Sequence, residues 1–351
     1  MRNVTQCYRA KNSVKSDGDS EFSVGSAEEL GDPCGCRGAR WVDSNWIRRM
    51  PALILLGAGA SFGSGDVQPC CPPLGNGPDG LFARLEAAGG QAASLPDDLK
   101  VIFRNDFEKG MARFYEFAGG DIMRFQREMA AYLAAFKPGK DNAYTGLIRT
   151  IGPRRAIYAS LNYDLLFELA AASLGLSTFY GTDPVIRGVR LLKIHGSSNF
   201  WPDIPVGVLR NCTFKGSGRA DIQAPIKPLN QEETLYRCSV EDSVSPALAM
   251  YAPGKAVKIS PDYVERQQDL WRGAVRRASR IFVVGVRVHN ADVHIWGELA
   301  RAHAPLTYFG CEWDRRPYEQ WTAENRKANS YFIQARFDEC IEFIGRQLGR
   351  L

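Results

Sequence analysis

Three short motifs in this chain carry side chains or backbone amides that could bind and cleave a polar small molecule. The first, Gly57-Ala-Gly59-Ala-Ser61, directly follows an apolar run. Glycines let the backbone approach a phosphate closely, and the amides that follow them can hold its oxygens. The spacing up to Gly63 is G-x-G-x-x-x-G, which differs from the dehydrogenase pattern G-x-G-x-x-G. The loop is therefore a candidate phosphate site, with a tight strand-to-loop turn as the alternative.

The second and third motifs supply polar side chains that could act on a bond. Asn162 and Asp164 are two positions apart where a strand gives way to a helix, so both can point into one cleft. Asp164 could equally cap the helix that follows. His195 precedes Gly-Ser at the end of another apolar run. A histidine there could serve as a neutral general base, although a lone histidine is more often a packing or surface residue.

These motifs need a scaffold that brings them together, and the apolar pattern predicts one. Short apolar runs alternate with helical stretches, which indicates an α/β fold with a Rossmann-like parallel sheet and helices on both faces. The predicted strands are Ala52–Leu56, Arg155–Leu161, Val189–Ile194, Arg280–Val284 and Leu306–Phe309. The predicted helices are Asp79–Ala88, Asp106–Phe117, Ile122–Phe136, Asp164–Leu174, Tyr263–Ala278 and Phe337–Leu348.

In such a sheet ligands bind beyond the carboxyl ends of the strands, which is where the three motifs fall. Gly285 ends the fourth predicted strand and permits close approach of a ligand. Glu312 follows the fifth strand and could accept hydrogen bonds from a ribose hydroxyl. All five strand ends therefore contribute to one candidate site.

The domain organisation follows from shifts in composition. Residues 1–49 are rich in small and charged residues and are predicted to be a disordered leader. Residues 50–351 are predicted to form one catalytic domain. Within it we expect a helical insertion over residues 75–150 and a smaller irregular or β insertion over residues 201–262.

Bulk composition excludes several classes of protein. The net charge of +5 over 351 residues, without a long run of like charge, does not favour direct binding of nucleic acid. The first thirty residues lack a secretory signal, and the nine scattered cysteines suit a reducing compartment. The apolar run Ala52–Leu56 is far too short to span a bilayer. We therefore expect a cytoplasmic protein without a membrane segment.

Taken in chain order, the segments G-A-G-A-S, L-N-Y-D, K-I-H-G-S and V-V-G resemble the sirtuin family. They are most similar to its bacterial sirtuin-like branch, in which N-Y-D replaces the Q-N-x-D of the deacetylases. The resemblance runs from about Pro51 to the closing helix, with specific matches at the strand ends. It implies an NAD hydrolase that cleaves the bond between nicotinamide and ribose. Members of this branch commonly act in antiphage defence by depleting NAD.

The resemblance also assigns residues that would contact NAD. Gly57, Ala58, Gly59 and Ser61 match the glycine loop that holds the pyrophosphate. Gly285 matches the glycine near the adenosine half of NAD.

The same resemblance implies the catalytic residues. Asn162 matches the asparagine beside the nicotinamide ribose that orients the attacking water. Asp164 matches the aspartate that binds the nicotinamide carboxamide, and His195 matches the catalytic histidine that contacts the ribose hydroxyls.

Two departures from the deacetylases are visible. Val286-Arg287 follows Gly285, where deacetylases have Thr-Ser or Tyr-Ser. No C-x-x-C pair occurs, so we expect no structural zinc ribbon. His289, Asp292 and His294 lie close in sequence, but their spacing fits no common catalytic zinc motif, and we predict no metal site. Asp292 could match an aspartate that this branch often carries after the fourth strand.

Other functions remain open at this stage. The same pocket could serve a protein deacylase or an ADP-ribosyltransferase. It could also belong to a non-catalytic NAD or nucleotide sensor that controls a partner, although such a sensor would not need Asn162 and His195. Because constant cleavage of NAD is toxic, we expect a homo-oligomer or a regulatory partner protein.

Overall fold

The computed structural model describes residues 50–183, 186–209, 221–249, 257–289 and 292–351. The leader expected over residues 1–49 lies outside the described residues. In chain order the strands are β1 (Ala52–Leu56), β2 (Val67–Gln68), β3 (Lys137–Pro138), β4 (Ala156–Ser160), β5 (Ser177–Phe179), β6 (Gly188–Lys193), β7 (Phe200–Pro202), β8 (Ile226–Pro228), β9 (Ile281–Val284), β10 (Leu306–Gly310) and β11 (Ser330–Gln334).

The helices alternate with these strands. They are α1 (Ala58–Phe62), α2 (Leu81–Ala87), α3 (Gly90–Ala93), α4 (Asp97–Asn105), α5 (Phe107–Phe117), α6 (Met123–Ala134), α7 (Ala143–Ile151), α8 (Leu166–Ser173), α9 (Gln231–Val240), α10 (Pro261–Arg277), α11 (Val293–Arg301), α12 (Glu312–Glu324) and α13 (Phe337–Gln347).

A seven-stranded parallel sheet organises the described part of the chain. Its strand order is β11-β10-β9-β1-β4-β6-β5. The chain runs outward from β1 on one side and then returns to place β9 on the other side of β1. Such a reversal of direction opens a crevice at the carboxyl ends of the strands. The chain therefore has the expected Rossmann-like α/β fold, with its switch point beside β1.

The sheet is buried on both faces, as its apolar strands require. In β1, Ala52, Ile54 and Leu56 pack into one hydrophobic core. Leu53 and Leu55, which point to the opposite face, pack into a second core with Trp271 and other residues of α10 and α11. Alternate residues of one strand thus hold the helices on both sides of the sheet.

Helices α2 to α7 occupy the segment between β1 and β4. A cluster of aromatic rings forms the centre of this segment. Phe103 stacks on Phe82 with ring centroids 4.4 Å apart and also contacts Phe107, Phe114 and Phe125. The segment over residues 201–262 contains the antiparallel pair β7–β8 and helix α9 in its described part.

The five strands predicted from the sequence all occur, and each of their bounds is either as predicted or shifted by a single residue. Two further strands of the seven-stranded sheet, β5 and β11, were not predicted. The helices not predicted individually are α1, α3, α4, α7, α9, α11 and α12, of which α3, α4 and nearly all of α7 lie in the expected helical insertion over residues 75–150. Within the residues that the structure describes, no helix is both long enough and apolar enough to cross a membrane.

Candidate functional site

The glycine loop after β1 packs directly against the end of β9. Gly57 donates its backbone N–H to the carbonyl of Val284 at 3.0 Å, and Gly59 donates to the carbonyl of Gly285 at 2.9 Å. A Cβ atom on Gly57 would lie 2.5 Å from the oxygen of Gly285, and one on Gly59 would lie 2.8 Å from its Cα. Only residues without a side chain therefore allow the two strand ends to approach this closely.

Three amides of this loop, those of Gly57, Gly59 and Ala60, are engaged within the protein. Besides the bonds from Gly57 and Gly59, the N–H of Ala60 donates to the carbonyl of Gly57 at 2.9 Å. Ala58, the first residue of α1, is exposed. In this conformation the glycine pattern has a packing role, and the exposed side of the loop lies at Ala58.

A buried network of polar side chains joins the glycine loop to the end of β4. The side-chain amide of Asn162 donates to the carbonyl of Gly57 and to Ser61 Oγ, both at 2.8 Å. Ser61 Oγ in turn donates to Asp164 Oδ2 at 2.7 Å and lies 2.8 Å from the hydroxyl of Tyr144. Ser61 of the glycine motif and Asn162 and Asp164 of the Asn-Tyr-Asp motif, all predicted as site residues, thus form one connected group.

Tyr144 is a member of this network that the sequence did not reveal. Asn142 caps helix α7 by accepting from the N–H of Tyr144, and its amide donates to Ser64 Oγ, which anchors the start of the helix beside α1. Burial, and secondarily the charge of Asp164, hold the pKa of Tyr144 well above its usual value. Its hydroxyl therefore stays neutral and can donate a hydrogen bond.

Asp164 has a structural role as well as its contact with Ser61. Its Oδ1 accepts from the N–H of Leu166 at 3.1 Å, at the first residue of α8. Asp164 can therefore bind the start of α8 and belong to the network at once, because one carboxylate oxygen accepts from Leu166 and the other from Ser61.

A buried ion pair of Lys193 and Glu168 contacts the backbone of Asp164. Lys193 Nζ donates to the backbone carbonyl of Asp164 at 2.7 Å and lies 3.3 Å from Glu168 Oε1. Burial raises the pKa of Glu168, and the charge of Lys193 opposes this rise. Through the bond from Lys193 to the carbonyl of Asp164, this pair holds the backbone at the end of the Asn-Tyr-Asp segment.

His195 lies at the end of the neighbouring strand. Ser160 of β4 pairs with Lys193 of β6, so Asn162 and His195 each lie two residues beyond the same register pair. The carbonyl of His195 accepts from Ala249, and the following Gly196 has a φ of +83° with the backbone of Ala247 against it. The histidine is thereby held on both sides by the backbone.

The imidazole of His195 contacts the start of α11. Its Nε2 lies 2.9 Å from Nε2 of His294 and 3.5 Å from Oδ1 of Asp292. The sequence grouped Asp292 and His294 with His289, but the structure does not bring those three together. His289 instead pairs through Nδ1 with Glu108 Oε2 of α5 at 3.1 Å. The sequence spacing could not show this, because the partner of His294 is 99 positions away.

Gly285 and Glu312, the two remaining predicted residues, lie on the other side of β1. Gly285 is in direct contact with the glycine loop, as described above. Glu312 begins α12 beyond β10, two strands from β1, where its exposed carboxylate pairs with Arg315 at 3.2 Å. The site thus centres on the ends of β1, β4, β6 and β9, with Glu312 at its periphery.

The site residues are shielded from solvent in this conformation. The exposed fraction is 9% for Asn162, 5% for Asp164 and 2% for His195. Two cavities of about 320 and 500 Å³ lie elsewhere, along α6, and neither is lined by these residues. Because the chemistry-bearing groups lie together at the strand ends, we place the candidate site there and not at those cavities.

No protein-family model matches the chain, and no curated protein matches it. Among solved structures, the chain is similar to a Sir2 homologue with a histidine-to-asparagine mutation in complex with ADP-ribose. The two chains are 18% identical, the match covers 85% of this chain and 92% of that chain, and the TM-score is 0.42. At these values the likeness by itself assigns no activity to the chain.

Proposed function

We propose that this chain binds NAD at the carboxyl ends of β1, β4, β6 and β9 and hydrolyses the bond between nicotinamide and ribose. The observation that carries the proposal is the network of Asn162, Ser61 and Asp164, which is anchored to the glycine loop at Gly57. His195 lies two residues beyond the same register pair as Asn162, at the end of the neighbouring strand.

The reaction needs a held leaving group and a positioned water molecule. Cleavage of an N-glycosidic bond develops oxocarbenium character at the anomeric carbon, as in other glycoside hydrolysis. Asp164 would bind the nicotinamide carboxamide by exchanging its contact with Ser61. Asn162 would place the water or steady the ribose, and His195 would accept a proton from a ribose hydroxyl. General-base assistance is typically worth about a hundredfold to ten-thousandfold.

The burial of these residues implies that NAD reaches them only when the site opens. The imidazole of His195 is in contact with His294, and such contacts would have to give way for NAD to enter. An enzyme that would deplete NAD if always active gains from a closed resting state. We therefore propose that a homo-oligomer or a partner protein opens the site.

We further propose that the activity serves bacterial antiphage defence through depletion of NAD. The resemblance of four motifs, in order, to the bacterial sirtuin-like branch supports this role. Infected cells carrying the wild-type gene should lose NAD and resist phage, whereas cells carrying Asn162→Ala should do neither. Equal resistance with both genes would contradict the role without touching the proposed reaction.

The proposed reaction is tested by release of nicotinamide from NAD by the purified full chain. The variants are Asn162→Ala and His195→Ala, with Asn105→Ala and His303→Ala as exposed controls of the same residue types. We expect release in wild type and both controls and its loss in both site variants. Release that depends on an added acetylated peptide would indicate a deacylase instead, and NAD binding without release would indicate a sensor.

A further inference from the structure

His195, Asp292 and His294 place three potential ligand atoms close together. The two Nε2 atoms are 2.9 Å apart, and Asp292 Oδ1 lies 3.5 Å from Nε2 of His195. All three ligand atoms lie within 4.8 Å of one another. Ligand atoms bound tetrahedrally to one zinc ion at about 2.0–2.2 Å are separated from each other by roughly 3.3–3.6 Å. The 3.5 Å separation is that of two ligands of one ion, whereas the two imidazole nitrogens, now at hydrogen-bond distance, would move apart by a few tenths of an ångström to share it.

The donor set is also one that transition metals prefer. Imidazole nitrogens suit zinc, copper, iron and nickel, and a single carboxylate completes the three-ligand sets found in catalytic zinc and non-haem iron sites. With three protein ligands, one position remains for water or another small ligand. We propose that His195, Asp292 and His294 form a binding site for a divalent transition metal ion of the zinc type.

The fold holds the three ligands from two separate directions. His195 follows β6, whereas Asp292 and His294 lie at the start of α11, which follows β9. Strands β6 and β9 are separated by β1 and β4, a distance of roughly 14 Å at normal strand spacing. The start of α11 therefore reaches across the carboxyl edge from the side of β9 toward β6. A metal ion shared with His195 would fix it there.

The environment of the three groups favours a cation. The exposed fraction is 2% for His195 and 8% for Asp292, so the carboxylate lies in a poorly solvated place beside two imidazoles. A buried carboxylate is stabilised by a cation or by hydrogen bonds. Two imidazoles whose Nε2 atoms face each other can share one proton in a hydrogen bond, or both can turn a lone pair toward a metal ion. Only the second arrangement binds a metal ion, so zinc titration distinguishes the two.

The test is calorimetric titration of the chelator-treated full chain with zinc chloride, in the absence of NAD. We expect wild type to bind one equivalent that His294→Ala loses or binds at least about tenfold more weakly. Asp292→Asn, which keeps the shape of the side chain, should weaken the same equivalent. His289→Ala is the matched control, because His289 precedes the same helix but pairs with Glu108. It should bind zinc as wild type does.

A second measurement keeps the test independent of folding defects in the variants. Zinc should raise the thermal unfolding midpoint of wild type and of His289→Ala but not that of His294→Ala. Equal zinc binding by wild type and His294→Ala would overturn the proposal, since any equivalent that survives must be held elsewhere, for instance by cysteines. Failure of wild type to bind zinc would leave a hydrogen-bonded histidine pair only. Neither result depends on cleavage of NAD, so the proposed function stands or falls separately.

Discussion

The carbonyl of Gly285 accepts a 2.9 Å hydrogen bond from the N–H of Gly59, which joins the end of β9 to the glycine loop after β1. Gly285 has a φ of +61°, and a Cβ atom on it would lie 2.3 Å from the backbone nitrogen of Ala60. Two separate costs, a left-handed backbone and a clash with another backbone, therefore act on any side chain at this position.

The substitution Gly285→Ala should reduce the free energy of unfolding by more than the backbone conformation alone explains. Gly175→Ala is the matched control, because Gly175 has a φ of +69° and nothing within 4 Å of the added Cβ. We expect about 1–2 kcal/mol of loss for Gly175→Ala and about 1–3 kcal/mol more for Gly285→Ala. Urea denaturation of both variants measures the difference, and equal losses would contradict the packing role of Gly285.

Removal of the Tyr144 hydroxyl should impair the site more than the fold. Tyr144→Phe keeps the ring contacts with Phe167 and Phe337 but deletes the bond to Ser61. Tyr158→Phe is the control, since that buried hydroxyl donates to Gly152. Each variant should lose about 1 kcal/mol of stability.

Only Tyr144→Phe should slow the release of nicotinamide, because only it releases Ser61 and, through Ser61, Asn162 and Asp164. As Tyr144 acts through these residues, the effect should appear in both KM and kcat. Identical kinetics in the two variants would show that Tyr144 is merely a core residue.

Breaking the buried pair of Lys193 and Glu168 should lower the free energy of unfolding strongly. Lys193→Met leaves Glu168 buried without its cation and should cost about 3–5 kcal/mol at neutral pH. The double variant Lys193→Met with Glu168→Gln should recover part of this loss, because both charges are gone. Urea denaturation of the two variants tests this, and a double variant no more stable than Lys193→Met would contradict it.

The loss in Lys193→Met should also depend on pH. Burial raises the pKa of Glu168 in the folded state above its ordinary value of 4.5, so the folded state binds the proton more tightly than the unfolded state. The contribution of Glu168 to stability is then greatest below pH 4.5 and is lost as the pH rises through the folded pKa. Removal of Lys193 takes away an opposing effect, so the fall should be steeper in Lys193→Met. A slope unchanged from wild type would show that the pair is not coupled.

If both proposals hold, zinc should inhibit the release of nicotinamide. A metal ion bound to Nε2 of His195 occupies the lone pair that would accept the ribose proton. We expect inhibition of wild type that a chelator reverses, with at least about tenfold less sensitivity to zinc in whatever activity His294→Ala retains. His289→Ala should respond as wild type does. Inhibition that is equally strong in all three proteins would place the inhibitory zinc elsewhere.

The sequence by itself determined the sheet and the edge at which the candidate site lies. Runs such as Ala52–Leu56 are apolar at every position, and only strands covered on both faces need this pattern. Gly57, Asn162 and His195 follow such runs, so parallel strands place them at one edge whatever the details of the connections. Strands β5 and β11 escaped prediction because they are short or half-exposed edge strands with weak apolar patterns.

The tertiary structure alone decided which side chains meet. Tyr144 joins Ser61 across 83 positions and His294 joins His195 across 99, and no local pattern encodes such pairs. His289 and His294 look equivalent in sequence, yet helix α11 begins between them and sends one to Glu108 and the other to His195. Contacts of this kind depend on strand order and on where each helix begins, which are set by packing of the whole sheet. The sequence therefore indicates the edge that carries the candidate site, and the fold selects which side chains meet there.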